Sequence, residues 1–176
     1  MKFTESNLRG AYLVAPERIE DERGFFARTF CRREFEAHCL NLNLVQCSVS
    51  FNRLRGTLRG MHLQSAPHAE AKLVRCTRGA IYDVILDLRP QSPTFGRWAA
   101  ASLGADNRLM FYVPEGFAHG FQTLEPESEI FYQMSEIYSP ENARGIRWND
   151  PAFAIEWPIP NPLISKRDQA HPAFAR

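Results

Sequence analysis

The run Leu58-Arg59-Gly60-Met61-His62-Leu63-Gln64 sets a histidine, an arginine and a glutamine into a segment that otherwise reads as β-strand. Alternate residues of a strand share a face, so the spacing predicts that His62 and Gln64 point the same way, with Gly60 leaving room beside them. A polar row on the inward face of a β protein either lines a pocket or must be neutralised by partners. We read it as pocket wall, against the simpler reading of a satisfied core or surface histidine. Histidine titrates near neutrality, so on a pocket wall it suits proton transfer. Arg53, Arg55, Arg59, Arg75 and Arg78 fall close together. They are either solvated loop charge or a recognition set for an anion, because the planar guanidinium fork suits phosphate.

The elements that must position these groups are mostly strands. Asp21-Glu22-Arg23-Gly24 predicts a turn, with a strand over Phe25–Phe30 behind it. Arg32–Leu40 is the one helical stretch, with Phe35 and Cys39 four apart. Leu44–Phe51 alternates, Lys72–Cys76 is a strand, and Thr77-Arg78-Gly79 a turn. Ala80–Leu88 reads as a long apolar strand, and Trp98–Leu103 and Leu109–Val113 as further ones. His119–Leu124 and Ile130–Tyr138 are expected to form a hairpin. Residues 151–162 carry four prolines and read as an irregular tail held down by Phe153, Ile155 and Trp157. Many short strands with turn residues between them indicate a β-sandwich or barrel. No repeat or linker divides the 176 residues, so one domain is expected.

Composition narrows the function classes. Hydrophobic residues make up 44% of the chain, which places it among globular proteins. A net charge of +1 gives no global argument for nucleic acid or an anionic membrane. No N-terminal stretch resembles a signal peptide, and no apolar run approaches the ~18 residues of a membrane span. Cys31, Cys39, Cys47 and Cys76 form no CxxC pair and read as reduced thiols. A cytoplasmic protein is the expectation.

Two segments resemble a cupin, the double-stranded antiparallel jelly-roll barrel. Gly56 followed by His62 fits the start of the first cupin motif, and Pro114-Glu115-Gly116-Phe117-Ala118-His119 fits the Pro-x-Gly-x-x-His of the second. Metal-binding cupins complete the first motif with His-x-His and a following glutamate. Here Gln64 takes the second histidine position, and glutamine is a poor ligand for zinc or iron. A metal-dependent oxygenase or isomerase is therefore the less favoured reading, and no cofactor is expected.

A more specific resemblance runs almost from end to end. The chain is similar to the dTDP-4-dehydrorhamnose 3,5-epimerase family through Asp21-Glu22-Arg23-Gly24-x-Phe26, Leu58–Gln64, Ala71-Lys72-Leu73-Val74-Arg75-Cys76, and Ser92-Pro93-Thr94-Phe95-Gly96. It continues through Pro114–Phe121, Tyr132, Tyr138-Ser139-Pro140, Trp148-Asn149-Asp150-Pro151 and Ile164-Ser165-Lys166-Arg167-Asp168. The resemblance implies an all-β cupin-type barrel that inverts centres α to the ketone of a nucleotide-linked 4-keto-6-deoxyhexose, without metal or organic cofactor. It assigns His62 as the base, with Asp168 holding its far nitrogen. It assigns Lys72 to the enolate oxygen and to substrate binding, and Tyr132 as the acid on the other face of the sugar. Arg23, Arg59, His119 and Arg167 correspond to diphosphate positions. Phe26 and Tyr138 can stack on the base, and Gln46 and Ser48 can hydrogen-bond to it. In relatives the positions of Arg23 and Phe26 come from the neighbouring subunit by strand exchange, which implies a homodimer.

The departures all lie on the nucleotide side. Arg28 stands where the family carries a glutamate, a second glutamate expected after Ser139-Pro140 is replaced near Ala143, and Gln46-Cys47-Ser48 replaces Gln-x-Asn. A glutamate can accept from the N3–H of thymine or uracil, whereas an arginine could donate to N3 of cytosine. Arg28 thus raises a CDP-linked substrate beside the dTDP-linked one, with phosphate pairing and solvent exposure as other readings. The residues leave open whether C3, C5 or both are inverted. A catalytically silent nucleotide-sugar-binding cupin is the rival from another class, and the presence of His62, Lys72, Tyr132 and Asp168 together speaks against it.

Overall fold

A computed structural model describes residues 1–40 and 43–174. In chain order the elements are β1 (Lys2–Glu5), β2 (Tyr12–Ala15), β3 (Arg18–Asp21), β4 (Gly24–Ala27), α1 (Arg32–Ala37), β5 (Gln46–Asn52), β6 (Thr57–Gln64) and β7 (Lys72–Arg78). They continue with β8 (Ala80–Asp87), β9 (Trp98–Gly104), β10 (Met110–Val113), β11 (Phe117–Thr123), β12 (Ser128–Met134), β13 (Ala143–Gly145), β14 (Leu163–Ile164) and α2 (Lys166–Gln169). One sheet runs β1-β2-β10-β7-β12-β5 and the other β13-β6-β11-β8-β9, with β14 added beside β6. β3 and β4 form a separate two-stranded ribbon. This is the jelly-roll arrangement that the motifs imply.

Alternation explains how the layers fill. Along β7, β8, β11 and β12, the residues Val74, Cys76, Ile81, Ile85, Phe117, Phe121 and Ile130 meet in the central core between the sheets. The intervening Val84, Leu86 and Ala118 face the other way, under Phe153, Ile155 and Trp157 of the proline-rich tail. β8 is therefore covered on both faces, which accounts for its nearly continuous apolar run. A third cluster packs Phe35 of α1 and Leu40 against Leu73, Met110 and Tyr112, on the outside of the first sheet.

Three expectations need correction. β11 and β12 do not pair: β11 lies between β6 and β8, and β12 between β5 and β7. The segment between them crosses from one sheet to the other, as jelly-roll connections do, and local turn residues do not distinguish that from a hairpin. The helix is also shorter than its pattern suggests. Cys39 adopts φ 57° and is exposed, so the second apolar position does not extend the helix. β4 likewise ends at Ala27, short of Phe30.

Candidate active site

Polar residues of β6, β13, α2 and the neighbouring loops converge on one cavity of about 280 Å³, bordered among others by Arg59, His62, Gln64, Tyr138, Arg167 and Asp168. Strict alternation would put Arg59 and His62, three apart, on opposite faces. A bulge resolves this. β6 pairs with β11 through His119↔His62 and then Phe121↔Arg59, so one extra residue of β6 is accommodated at Gly60-Met61. Gly60 sits at φ +136°, and a side chain there would bring Cβ within 2.6 Å of the Gly120 Cα. Glycine is required at this crossing, and the bulge turns Arg59, His62 and Gln64 toward the same cavity.

The end of the chain reaches this strand through β14, which pairs in parallel with Thr57 and Leu58 of β6. The following helix α2 is capped by Ser165, whose Oγ accepts from the Asp168 amide. That cap fixes Asp168 where its Oδ1 lies 2.8 Å from His62 Nε2. The Gly60 N–H points at its second oxygen, 3.4 Å away. Burial works against the charge on Asp168, but the hydrogen bond and attraction of His62 outweigh it and lower its pKa. Asp168 is thus a carboxylate, which requires the His62 Nε2 to carry a proton and leaves Nδ1 as the basic nitrogen. The His62 side chain is 42% exposed while Asp168 is covered. The imidazole can reach a ligand without losing its support.

A second pair lies deeper. His119 Nε2 is 2.8 Å from Oδ1 of Asp83, and both residues are buried. The His119 ring meets Tyr132 edge-on at 5.9 Å. Burial, followed by the nearby Asp83 charge, pushes the Tyr132 hydroxyl well above its ordinary pKa, with Arg59 pulling the other way. Tyr132 is therefore held protonated. Asp83 is itself raised by burial, against the opposing pull of His119 and Lys72. Lys72 is buried and pairs with Glu70 at 2.9 Å.

The remaining expected residues divide into two groups. Gln46 and Ser48 lie on the β5 face whose register pairs Ser48 with Tyr132, and Gln46 Oε1 accepts from the Tyr138 amide at 2.9 Å. Arg59 donates from Nε to Asn52 at 2.7 Å. By contrast Arg23, Phe26 and Arg28 lie on or beside the exposed β3–β4 ribbon and do not border the cavity of their own chain. Arg23 pairs with Asp21, Phe26 is 72% exposed, and Arg28 pairs with Glu34 at 3.0 Å. His119 is also not at a rim. It is buried, with one ring nitrogen taken by Asp83. Gln64 borders the cavity, yet its amide is spent on the backbone of His68, Ile137 and Ser139.

A family model for dTDP-4-dehydrorhamnose 3,5-epimerase matches residues 5–176. The dTDP-4-dehydrorhamnose 3,5-epimerase of Sinorhizobium fredii is 40% identical over 175 residues, 99% of this chain and 90% of the relative. This chain belongs to the dTDP-4-dehydrorhamnose 3,5-epimerase family. Among solved structures, the dTDP-4-dehydrorhamnose 3,5-epimerase from Elizabethkingia anophelis superposes with a TM-score of 0.96 at 41% identity, covering 99% of this chain and 96% of that one. The enzyme from Bacillus anthracis, solved with TDP and PPi bound, gives 0.95 at 42% identity, with 98% and 99% covered. The jelly-roll of this epimerase-family chain is that of its relatives.

Four residues at the site escaped the sequence reading. Asp83 interrupts the apolar run of β8 at mid-strand, and a buried charge in such a strand demands a partner; that signal was available. Glu70 and Arg144 border the cavity from loop and short-strand positions that no periodicity singles out. His171 lies just beyond α2, with its ring 5.9 Å from that of His62 and its Nε2 3.6 Å from Asp168. Burial, then the neighbouring His62, lowers its pKa.

Proposed function

We propose that this chain is a cofactor-independent 3,5-epimerase of dTDP-4-dehydro-6-deoxy-D-glucose, acting in the cytoplasm in dTDP-rhamnose or related deoxysugar biosynthesis. The observation that carries the reading is the pair of His62 on β6 and Asp168 on α2 at 2.8 Å, with the partly buried, protonated Tyr132 on the facing sheet. His62 Nδ1 takes the proton α to the ketone and becomes an imidazolium held by Asp168. The electron pair moves onto the carbonyl oxygen, where the Lys72 ammonium balances the developing charge. Tyr132 then delivers its proton to the carbon from the other side, and solvent resets both groups.

Arg59 and Arg167 on the cavity border fit the diphosphate, and Arg144 adds to them although the sequence does not mark it. Gln46, Ser48 and Tyr138 serve the base. His119, tied to Asp83 and packed on Tyr132, acts on the diphosphate only through Nδ1. Arg23 and Phe26 reach a site by serving the partner of a homodimer. In support, Ile19, Phe26, Val49 and Phe51 expose apolar side chains on the ribbon and on β5, the surface that ribbon exchange would cover. One cupin-type domain then spans residues 1–176, with its N-terminal strands exchanged. Arg28 is engaged by Glu34, which fits a dTDP substrate with Arg28 beside the nucleotide and not reading its base.

The test is proton NMR in deuterated water with dTDP-4-keto-6-deoxyglucose and its CDP counterpart, wild type beside His62→Ala. Deuterium entering at C5 and C3 of the dTDP sugar, and lost in the variant, is expected. Exchange at one centre alone would make the chain a mono-epimerase. Preference for CDP would assign Arg28 to the base, and silence with both sugars would favour a binding module.

A further inference from the structure

Asp168 carries two imidazoles. His62 Nε2 lies 2.8 Å from its Oδ1 and His171 Nε2 3.6 Å from the same atom. One donor atom from each of the three residues falls within 4.8 Å of the others. His171 Nε2 is fully covered, yet it has no hydrogen-bond partner. A buried polar nitrogen aimed at a carboxylate and left unsatisfied is costly unless something binds it. The ring is held there by its packing. It lies against Gly145, where any Cβ would fall 2.0 Å from His171 Nε2, and Gly145 pairs directly with His62 across β13 and β6. The absence of a side chain at Gly145 is what admits His171 to the dyad.

From this convergence we propose that His62, Asp168 and His171 form a binding site for a divalent transition metal such as zinc, and that the metal switches the dyad off. Tetrahedral ligands 2.0–2.1 Å from zinc stand about 3.3 Å apart, between the two distances found here. Small side-chain rotations therefore bring all three atoms into range, and the fourth position opens to the cavity. Two imidazoles and one carboxylate select zinc, cobalt, nickel or copper over magnesium and calcium. Arg59, Arg144 and Arg167 on the cavity border oppose a cation, while Glu70 favours it. The binding follows from geometry alone.

The inhibition rests on His62 being the base. Metal on Nε2 takes the lone pair there and shifts the ring N–H to Nδ1. That is the atom that must be unprotonated to accept the substrate proton. No proton is gained or lost by His62 in this exchange. The metal displaces only the hydrogen bond to Asp168.

Isothermal titration of zinc chloride into chelator-treated, dialysed protein reads the site directly. One zinc per chain with a dissociation constant of about 10 µM or tighter is expected, with no uptake of magnesium. His171→Ala should weaken zinc at least about tenfold. Cobalt in the wild type should give visible d–d absorption that His171→Ala loses. Should His171→Ala fold poorly by circular dichroism, His171→Gln is read in its place. Zinc binding of wild-type strength in the variant, or no saturable zinc site in the wild type, overturns the proposal. A second arm measures epimerisation with and without zinc, each protein normalised to its own metal-free rate. Zinc should inhibit the wild type and spare His171→Ala. Tight zinc binding that depends on His171 but leaves turnover unchanged would keep the site and overturn the inhibition, and with it His62 as base.

Discussion

Replacing Asp168 with asparagine tests the dyad with almost no change of shape. In the proposed mechanism, the carboxylate oxygen 2.8 Å from His62 Nε2 meets the imidazolium formed on proton abstraction. Opposite charges about 4 Å apart attract by roughly 4 kcal/mol at an effective dielectric near 20. The His62 side chain is 42% exposed, so solvent screens roughly a third to a half of that, leaving about 2–3 kcal/mol. An amide can also present its NH2 to Nε2, which favours the wrong tautomer and adds to the cost. Together these lower turnover by about 10²–10³-fold at 1.36 kcal/mol per decade. KM should move by less than about threefold, because the arginines assigned to the diphosphate are untouched. Deuterium incorporation at C5 and C3, followed by NMR, measures the rate, and circular dichroism confirms the fold. The pH profile of stability supplies an internal check. The folded pKa of Asp168 is lowered, so its contribution is present above the ordinary carboxylate value and lost as pH falls through the lowered one. Wild type and variant should therefore differ in Tm at pH 7 and converge in acid. A natively folded Asp168→Asn that exchanges deuterium within about threefold of wild type would refute the assignment of the pair as base and support.

Tyr132→Phe removes the proton held on the facing sheet and should cut inverted product by about 10²–10³-fold while proton removal by His62 continues; an unchanged product rate in the NMR assay would remove Tyr132 from the mechanism. Asp87 is wholly covered, and bonds from Arg89, Ser92 and Thr94 overcome its burial to bring its pKa to about 2. That contribution, about 2 kcal/mol, is present above the ordinary carboxylate pKa and lost as pH falls toward 2. Asp87→Asn should therefore lower Tm by several degrees at pH 7 and by little below about pH 2, and equal losses at both pH values would contradict the linkage. Gly60→Ala meets the Gly120 backbone at 2.6 Å and should destabilise by about 3 kcal/mol or more through strain at positive φ; a thermal melt within two degrees of wild type would show that the bulge yields.

How much of this was legible depended on whether a signal was local. The strand runs of β7, β8 and β9 followed from β-branched and apolar alternation, and β6 was marked by its polar row. The Arg59–His62 relation was not legible, because one bulge at Gly60-Met61 reverses the parity on which alternation depends. The β11–β12 connection was misread for a related reason. Its turn residues fit a hairpin, and only the neighbours of each strand decide which sheet it joins. Asp168 is 106 residues from His62. Periodicity could not bring them together; only the family resemblance paired them, and the structure supplies the means in the Ser165-capped start of α2. His171 carried no signal, since its role depends on the bare backbone of Gly145.

The barrel holds two histidine–aspartate pairs of the same length, and burial is what separates them. His119 and Asp83 are closed off, with side-chain exposures of 5% and 0%. A substrate carbon cannot reach that imidazole through a shell formed in part by Tyr132. Beyond the role proposed for His119 Nδ1 at the diphosphate, the pair acts on its surroundings: the Asp83 charge joins burial in keeping the Tyr132 proton in place. His62 has the opposite arrangement, with an open ring on a buried carboxylate. An epimerisation needs one group that accepts a proton readily and another that keeps its proton until an enolate is present. The same two residue types meet both needs because His62 and His119, paired across β6 and β11 and so on one face, differ in cover: His62 borders the cavity, while His119 is closed in beside Tyr132.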